Sequence, residues 1–165
     1  MRSLLFTLLF LVSLTGFSQI IDKQPSFWDN VQFGGGLGIG IGSNRTTISV
    51  APSAIYNFNP QFSLGIGASY LYSKNNTYKS NVFGASILSF YNPLEQLQIS
   101  AEFEHLFVSQ KSGTLKFPNY DYPALYLGAA YRVGNFSAGL RYDVLYNENK
   151  SIYASAFSPI FRFYF

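Results

Sequence analysis

From Phe136 to Tyr146 every second residue is apolar: Phe136, Ala138, Leu140, Tyr142, Val144 and Tyr146, with Ser137, Gly139, Arg141 and Asp143 between them. Successive side chains of a β-strand point to opposite faces, so a period of two describes a ribbon with one apolar and one polar side. The pattern recurs. Phe62, Leu64, Ile66, Ala68, Tyr70 and Tyr72 alternate with Ser63, Gly65, Gly67 and Ser69. Ile48, Val50, Pro52, Ala54, Tyr56 and Phe58 alternate with Thr47, Ser49, Ala51, Ser53 and Asn57. Val31, Phe33, Leu37, Ile39 and Ile41 stand against Gln32, Gly34, Gly36, Gly38 and Gly40.

Turn residues divide the chain into eight such segments, at 31–42, 46–58, 62–73, 81–91, 97–108, 123–133, 136–146 and 152–165. The breaks fall at Ser43-Asn44, Asn59-Pro60, Lys74-Asn75-Asn76, Asn92-Pro93, the long segment 109–121, Gly134-Asn135 and 147–150. In 81–91 both parities are apolar, Val82, Leu88 and Phe90 against Phe83, Ile87 and Tyr91, so its facing stays open. Pro52 and Pro159 each remove a ladder hydrogen bond, and a bulge or a displaced strand boundary is expected at each.

The charges sort with the pattern. Glu102, Glu104, Arg132, Arg141, Asp143 and Arg162 all take the parity opposite the apolar face of their own segment. The lysines after residue 20 (Lys23, Lys74, Lys79, Lys111, Lys116 and Lys150) fall outside the segments and form no cluster along the chain. The formal net charge is +3, and without clustering it argues against nucleic acid as a partner.

Charged residues are 12% of the chain and aromatics 19%, whereas a soluble domain carries about 25% charged residues. No segment after the N-terminal one is apolar for the length a membrane helix needs. In lipid every backbone group must be paired within the protein, which leaves helices and closed barrels as spanning structures. Eight segments, each at least the roughly 9–11 residues of a tilted spanning strand, therefore predict an all-β, eight-stranded antiparallel up-and-down transmembrane barrel with short periplasmic turns. The apolar parity faces lipid. The six charges and the Gly, Ser and Ala of the other parity face a narrow lumen, where the three acids and three arginines are expected to pair.

Residues 1–18 combine Arg2, the apolar run 4–14 and small residues at 16 and 18, and read as a cleaved signal peptide. Residues 19–30 then form a periplasmic leader and 31–165 the barrel. With no cysteine in the sequence, disulfides and thiolate metal sites are excluded. No cofactor is expected, because the glycine run 34–42 lacks both the dinucleotide fingerprint and the P-loop lysine.

Phe161, Phe163 and Phe165 close the chain as alternating aromatics ending on a C-terminal Phe. With the signal peptide and the eight segments, this run resembles the family of small outer-membrane β-barrels typified by the OmpX protein and the transmembrane domain of OmpA. The resemblance covers nearly all of the mature chain. It implies the outer membrane of a Gram-negative bacterium, Phe161, Phe163 and Phe165 as an insertion signal read by the barrel-assembly machinery, and outer-membrane lipid as surroundings. Such barrels serve several ends. The leading expectation is a non-enzymatic envelope protein with a lumen filled by side chains, or a small subunit of an envelope complex, meeting an envelope partner through loops 74–80 and 109–121. A narrow pore for small solutes or ions is one alternative.

An outer-leaflet lipid-modifying enzyme is the other. His105 is the sole histidine and lies on the apolar face with Phe103 and Phe107. Lipid A deacylases of the PagL type resemble one another in a His-x-Ser pair, but two residues beyond His105 stands Phe107. A palmitoyltransferase of the PagP type would draw on Ser109 and Asp121.

Overall fold

The computed structural model describes residues 26–42, 45–75, 78–112, 115–153 and 155–165. The expected signal peptide at 1–18 and the leader up to residue 25 lie outside these. Eight long strands follow in order: β1 (Val31–Gly42), β2 (Arg45–Asn57), β3 (Phe62–Asn75), β4 (Tyr78–Leu94), β5 (Leu97–Ser112), β6 (Tyr120–Val133), β7 (Phe136–Asp143) and β8 (Phe157–Tyr164). Each pairs antiparallel with its neighbours in sequence, and β1 pairs with β8, so the sheet closes into a barrel. A two-residue strand, Leu115–Lys116, folds back on the end of β5. Before β1, Ser26 caps a short 3₁₀ turn at Phe27–Asn30, and Phe27 stacks on Tyr56 with ring centroids 4.8 Å apart.

Ser26, where the described chain begins, Phe165 and the three tight turns lie at one end of the barrel. Asn59 shapes the first of these turns by accepting from the backbone N–H groups of Gln61 (2.9 Å) and Phe62 (2.8 Å). Gly134, at φ +57°, opens the two-residue turn from β6 to β7. The second turn differs from the sequence reading: β4 runs through Asn92-Pro93 to Leu94, and the chain reverses at Glu95-Gln96. Pro93 is accommodated because the β4–β5 register shifts between Tyr91 and Leu94, freeing it from the ladder.

Neither Pro52 nor Pro159 sits in a bulge. The β2–β3 register is the same on both sides of Pro52, and only Ala51 and Pro52 drop out of the ladder. At the closing seam Phe33 and Phe165 exchange backbone bonds of 3.1 and 2.9 Å, and Gly34–Gly36 pair with Tyr164–Arg162. With that phase, odd-numbered residues of β8 direct their backbone toward β1, so the N–H that Pro159 lacks is one that would have faced β1. Its other neighbour is unaffected, since the β7–β8 register continues through Leu140 and Pro159. The seam is accordingly short.

The segments expected as loops at 74–80 and 109–121 are mostly strand, because β3, β4, β5 and β6 extend further than the alternation suggested. Lys74, Lys79, Lys111 and Lys116 therefore lie within strands, and so does Asp121. At the other flank strands are shorter than expected. β7 stops at Asp143 and β8 begins only at Phe157, so the long connection is 144–156. Its polypeptide turns because Asp143 accepts from the N–H of Leu145 (3.0 Å), and Lys150 and Ser151 both donate to the Asn147 carbonyl.

β1 carries Gly35 at φ +144°, where any Cβ would run into the Ala51 carbonyl oxygen. Gly35→Val combines backbone strain with a backbone clash beside the closing seam, at a cost of roughly 2–4 kcal/mol. Refolded in detergent, this variant is expected to lose the fast-migrating form that a closed barrel shows on unheated gels; retention of that form at wild-type denaturant resistance would contradict the closure geometry.

Candidate functional site: the charged interior of the barrel

Burial divides the two parities. Outward stand Leu37, Ile66, Phe83, Ile87, Phe103, Leu127, Leu140 and Phe161, all exposed. Inward stand Gln98, Ser100, Glu102, Glu104, Ser137, Asp143 and Arg162, all buried. β4 resolves as Val82, Leu88 and Phe90 inside and Phe83, Ile87 and Tyr91 outside. Its ambiguity has a physical source. The inner face of β1–β3 is mainly Gly and Ser, and large inward side chains from β4 to β8 project toward it, leaving a cavity of about 90 Å³ lined by Gly36, Gly38, Ser49, Gly67, Arg141 and Arg162, among others.

At mid-height Glu102 holds two arginines. One carboxylate oxygen, Oε2, accepts from Arg141 Nη1 and from Arg162 Nη2, both at 3.1 Å. Arg162 also donates to Ser100 Oγ at 3.4 Å. Each guanidinium lies over an aromatic ring: Arg141 is 3.8 Å from the Tyr126 centroid and Arg162 is 5.0 Å from that of Phe90. Tyr126 and Phe90 are the largest fully buried side chains of the interior. Neither was evident as part of the charge site in sequence, although inward parity on β6 would have pointed to Tyr126.

The other three charges stand apart from this triad. Glu104 is buried and accepts a hydrogen bond from the Ser69 hydroxyl. Room for its carboxylate comes from Gly84, where a Cβ would meet both Glu104 and Ser69. Asp143 accepts from the backbone N–H of Leu125 (3.2 Å) as well as that of Leu145 and so pins the end of β7. Arg132 sits at the rim near the chain termini, with Nε donating to the Gly134 carbonyl at 3.0 Å. The balanced pairing of three acids with three arginines is thus not what forms. One acid binds two arginines, and the rest anchor backbone or hydroxyl.

Buried apolar clusters line the interior on both sides of the triad. Toward the 144–156 connection lie Leu71, Val82, Leu106, Val108, Tyr122, Ala124 and Tyr126, with Ile152 and Tyr153 packed on them from that connection. Tyr153 therefore turns inward. Burial pushes its phenol up to about 12. Tyr120 and Tyr122 tie the connection down, Tyr120 by donating to the Lys150 carbonyl (3.1 Å) and Tyr122 by accepting from the Ile152 N–H (3.3 Å). Toward the termini lie Ile55, Leu88, Phe90 and Tyr164. Beyond them a vestibule of about 940 Å³ opens, with Gln32, Asn57, Asn92, Gln98 and Asn135 among its lining.

His105 stands on the outer wall. Its Nε2 lies 2.8 Å from Asp121 Oδ2, and its ring meets Phe107 edge-on at 5.0 Å. Ser109 is four residues further on the same face of β5, about 13 Å away by strand rise. A histidine–carboxylate pair is thus present, but Ser109 is out of its reach.

Removing Glu102 leaves two buried guanidiniums facing each other, and breaking a buried pair in this way costs about 3–5 kcal/mol. Glu102→Gln is therefore expected to lower the urea midpoint of the refolded protein markedly. The combined Glu102→Leu, Arg141→Met, Arg162→Met variant should recover most of the loss, since apolar replacement of a whole buried ionic group is often neutral or stabilising. Equal midpoints for wild type and Glu102→Gln would show that the triad does not hold the interior together.

No family model matches the chain, and no curated protein matches it.

Proposed function

We propose that this protein is an integral outer-membrane barrel whose filled interior carries no solute, and that it serves the envelope structurally, through its surface, or as a small subunit of a larger complex. One observation carries the reading. The barrel wall is covered by exposed large apolar side chains while Glu102, Glu104, Asp143 and Arg162 are buried inside. A water-soluble barrel has the reverse sorting, and an apolar surface of this extent marks contact with lipid or protein. In this reading the termini and tight turns face the periplasm. Phe163 and Phe165, whose rings lie 6.1 Å apart, join the exposed Phe136 and Tyr131 in a girdle at that face.

The interior supports a barrel that does not conduct. Phe90, Tyr164, Tyr126 and the two arginines occupy its middle, and Tyr153 and Ile152 close over the opposite end. The vestibule favours the pore alternative as far as Phe90 and Tyr164, and a separate small cavity of about 90 Å³, also lined by Tyr164, lies against Glu102, Arg141 and Arg162. Ser109, the hydroxyl a palmitoyltransferase of the PagP type would draw on, stands about 13 Å from His105 along β5 and so is out of reach of the His105–Asp121 pair.

In planar bilayers the wild-type protein is expected to insert without discrete conductance steps. Combining Phe90→Ala, Tyr126→Ala and Tyr153→Gly empties both sides of the triad and should introduce steps. Steps of equal size in wild type and variant would replace the filled interior with a pore. The membrane reading is tested separately by cell fractionation and by the heat-dependent gel shift, both of which fail for a soluble barrel.

A further inference from the structure

Strand register assembles a feature that is scattered in the sequence. Lys74 is paired with Lys79 across β3 and β4, Lys79 with Lys111 across β4 and β5, and Lys111 with Lys116 across β5 and its two-residue return strand. Four lysines from four adjacent strands therefore form one unbroken row. Directly opposed residues share a face, and all four side chains are exposed. By parity that face is the outer wall, the one carrying Tyr70, Phe83 and Phe107. At about 4.8 Å between strands the row spans about 14 Å and places four positive charges side by side.

Opposed like charges destabilise a ladder. None of the four forms an ion pair among the described residues, where the pairs are His105–Asp121, Arg141–Glu102 and Arg162–Glu102. Among the described residues nothing neutralises this repulsion, which leaves the row open to an outside partner. The rows beneath indicate which. Two residues down the wall stand Tyr72, Asn81 and Ser109 in register, and two further down Tyr70, Phe83 and Phe107. Tyr70 packs on Phe83 with centroids 4.9 Å apart and donates from its hydroxyl to Asn81 Oδ1 at 2.9 Å. The order upward is aromatic, then amphipathic, then cationic, over about 13 Å of strand. That is the order of acyl boundary, interface and headgroup at a lipid leaflet.

At the Lys116 end the row meets a cavity of about 370 Å³ lined by Lys111, Lys116, Asn81, Ser109, Asn119 and Phe117, among others. Two ammonium groups, amides and a hydroxyl around one aromatic face suit a phosphorylated sugar headgroup. We propose that Lys74, Lys79, Lys111 and Lys116 form a binding surface for the phosphate groups of lipid headgroups in the leaflet around this end of the barrel. The proposal rests on the membrane reading above. A soluble polyanion would satisfy the charge but not the aromatic rows directly below it, and the row looks sideways from the wall rather than up from the mouth.

The test is native mass spectrometry of the refolded full chain in neutral detergent, with diphosphoryl lipid A, phosphatidylcholine or dextran sulfate as probe. Wild type is expected to retain diphosphoryl lipid A at least about tenfold better than the variant K74Q/K79Q/K111Q/K116Q, and the two should not differ for phosphatidylcholine. Lys150→Gln, outside the row, should bind like wild type. Without lipid, the fourfold variant should melt no lower than wild type, because removing the row relieves repulsion. Equal retention of diphosphoryl lipid A by wild type and a fourfold variant that keeps its heat shift on gels overturns the proposal, as does a wild-type preference for dextran sulfate. Absence of the heat shift in the wild type overturns the membrane reading, and this proposal with it.

Discussion

Everything in this molecule depends on a sheet that has two unlike faces and no edge. A strand with period-two alternation must put its apolar side somewhere, and eight such strands in one sheet leave two free ladders at the ends unless the first meets the last. Here they meet through the reciprocal bonds of Phe33 and Phe165 and the pairing of Gly34–Gly36 with β8. Closure converts the two faces into an outside and an inside. It also makes Phe165 a structural member, since it supplies backbone partners to β1 while its side chain stays exposed.

Closure leaves little room, and the interior is organised by that shortage. One flank, β1–β3, presents mainly glycine and serine, so the other flank projects Phe90, Tyr126 and Tyr164 and both arginines into the space. Charges enter such an interior at a cost that only close partners offset. Glu102 meets the cost for Arg141 and Arg162 together, with a ring stacked on each guanidinium. Glu104 depends instead on the Ser69 hydroxyl and on the space left by Gly84.

The barrel is also two-zoned along its axis. The apolar wall gives way, at the end away from the termini, to a sheet that continues as polar and cationic strand. The parity rule that keeps charge off the wall holds below this boundary and is released above it. Asp121 with His105 stands near the crossing, and the lysine row stands beyond it. On the proposed membrane reading the boundary is where lipid tails yield to headgroups, and the strands simply extend past the bilayer.

The fold was largely legible in the chain, because β-strand parity is local: eight segments, their antiparallel order and the inward facing of the six strand charges need only alternation and turn residues. The bounds of β1 and the glycine-bearing turn at Gly134 follow from the same local chemistry. Elements whose chemistry is not local were not legible. Asn92-Pro93 has the composition of a turn, yet the β4–β5 register absorbs it as an irregularity within the strand. Ser109–Asp121 is polar enough for a loop, yet most of it is strand held by cross-strand backbone bonds that cost little in water. The sequence by itself determined which face of each strand carries charge, since that depends on neighbours two residues away. Only the tertiary structure decided which charges meet, namely Glu102 with Arg141 and Arg162 inside and four distant lysines in one row outside, because those meetings depend on register between strands, which alternation alone leaves free.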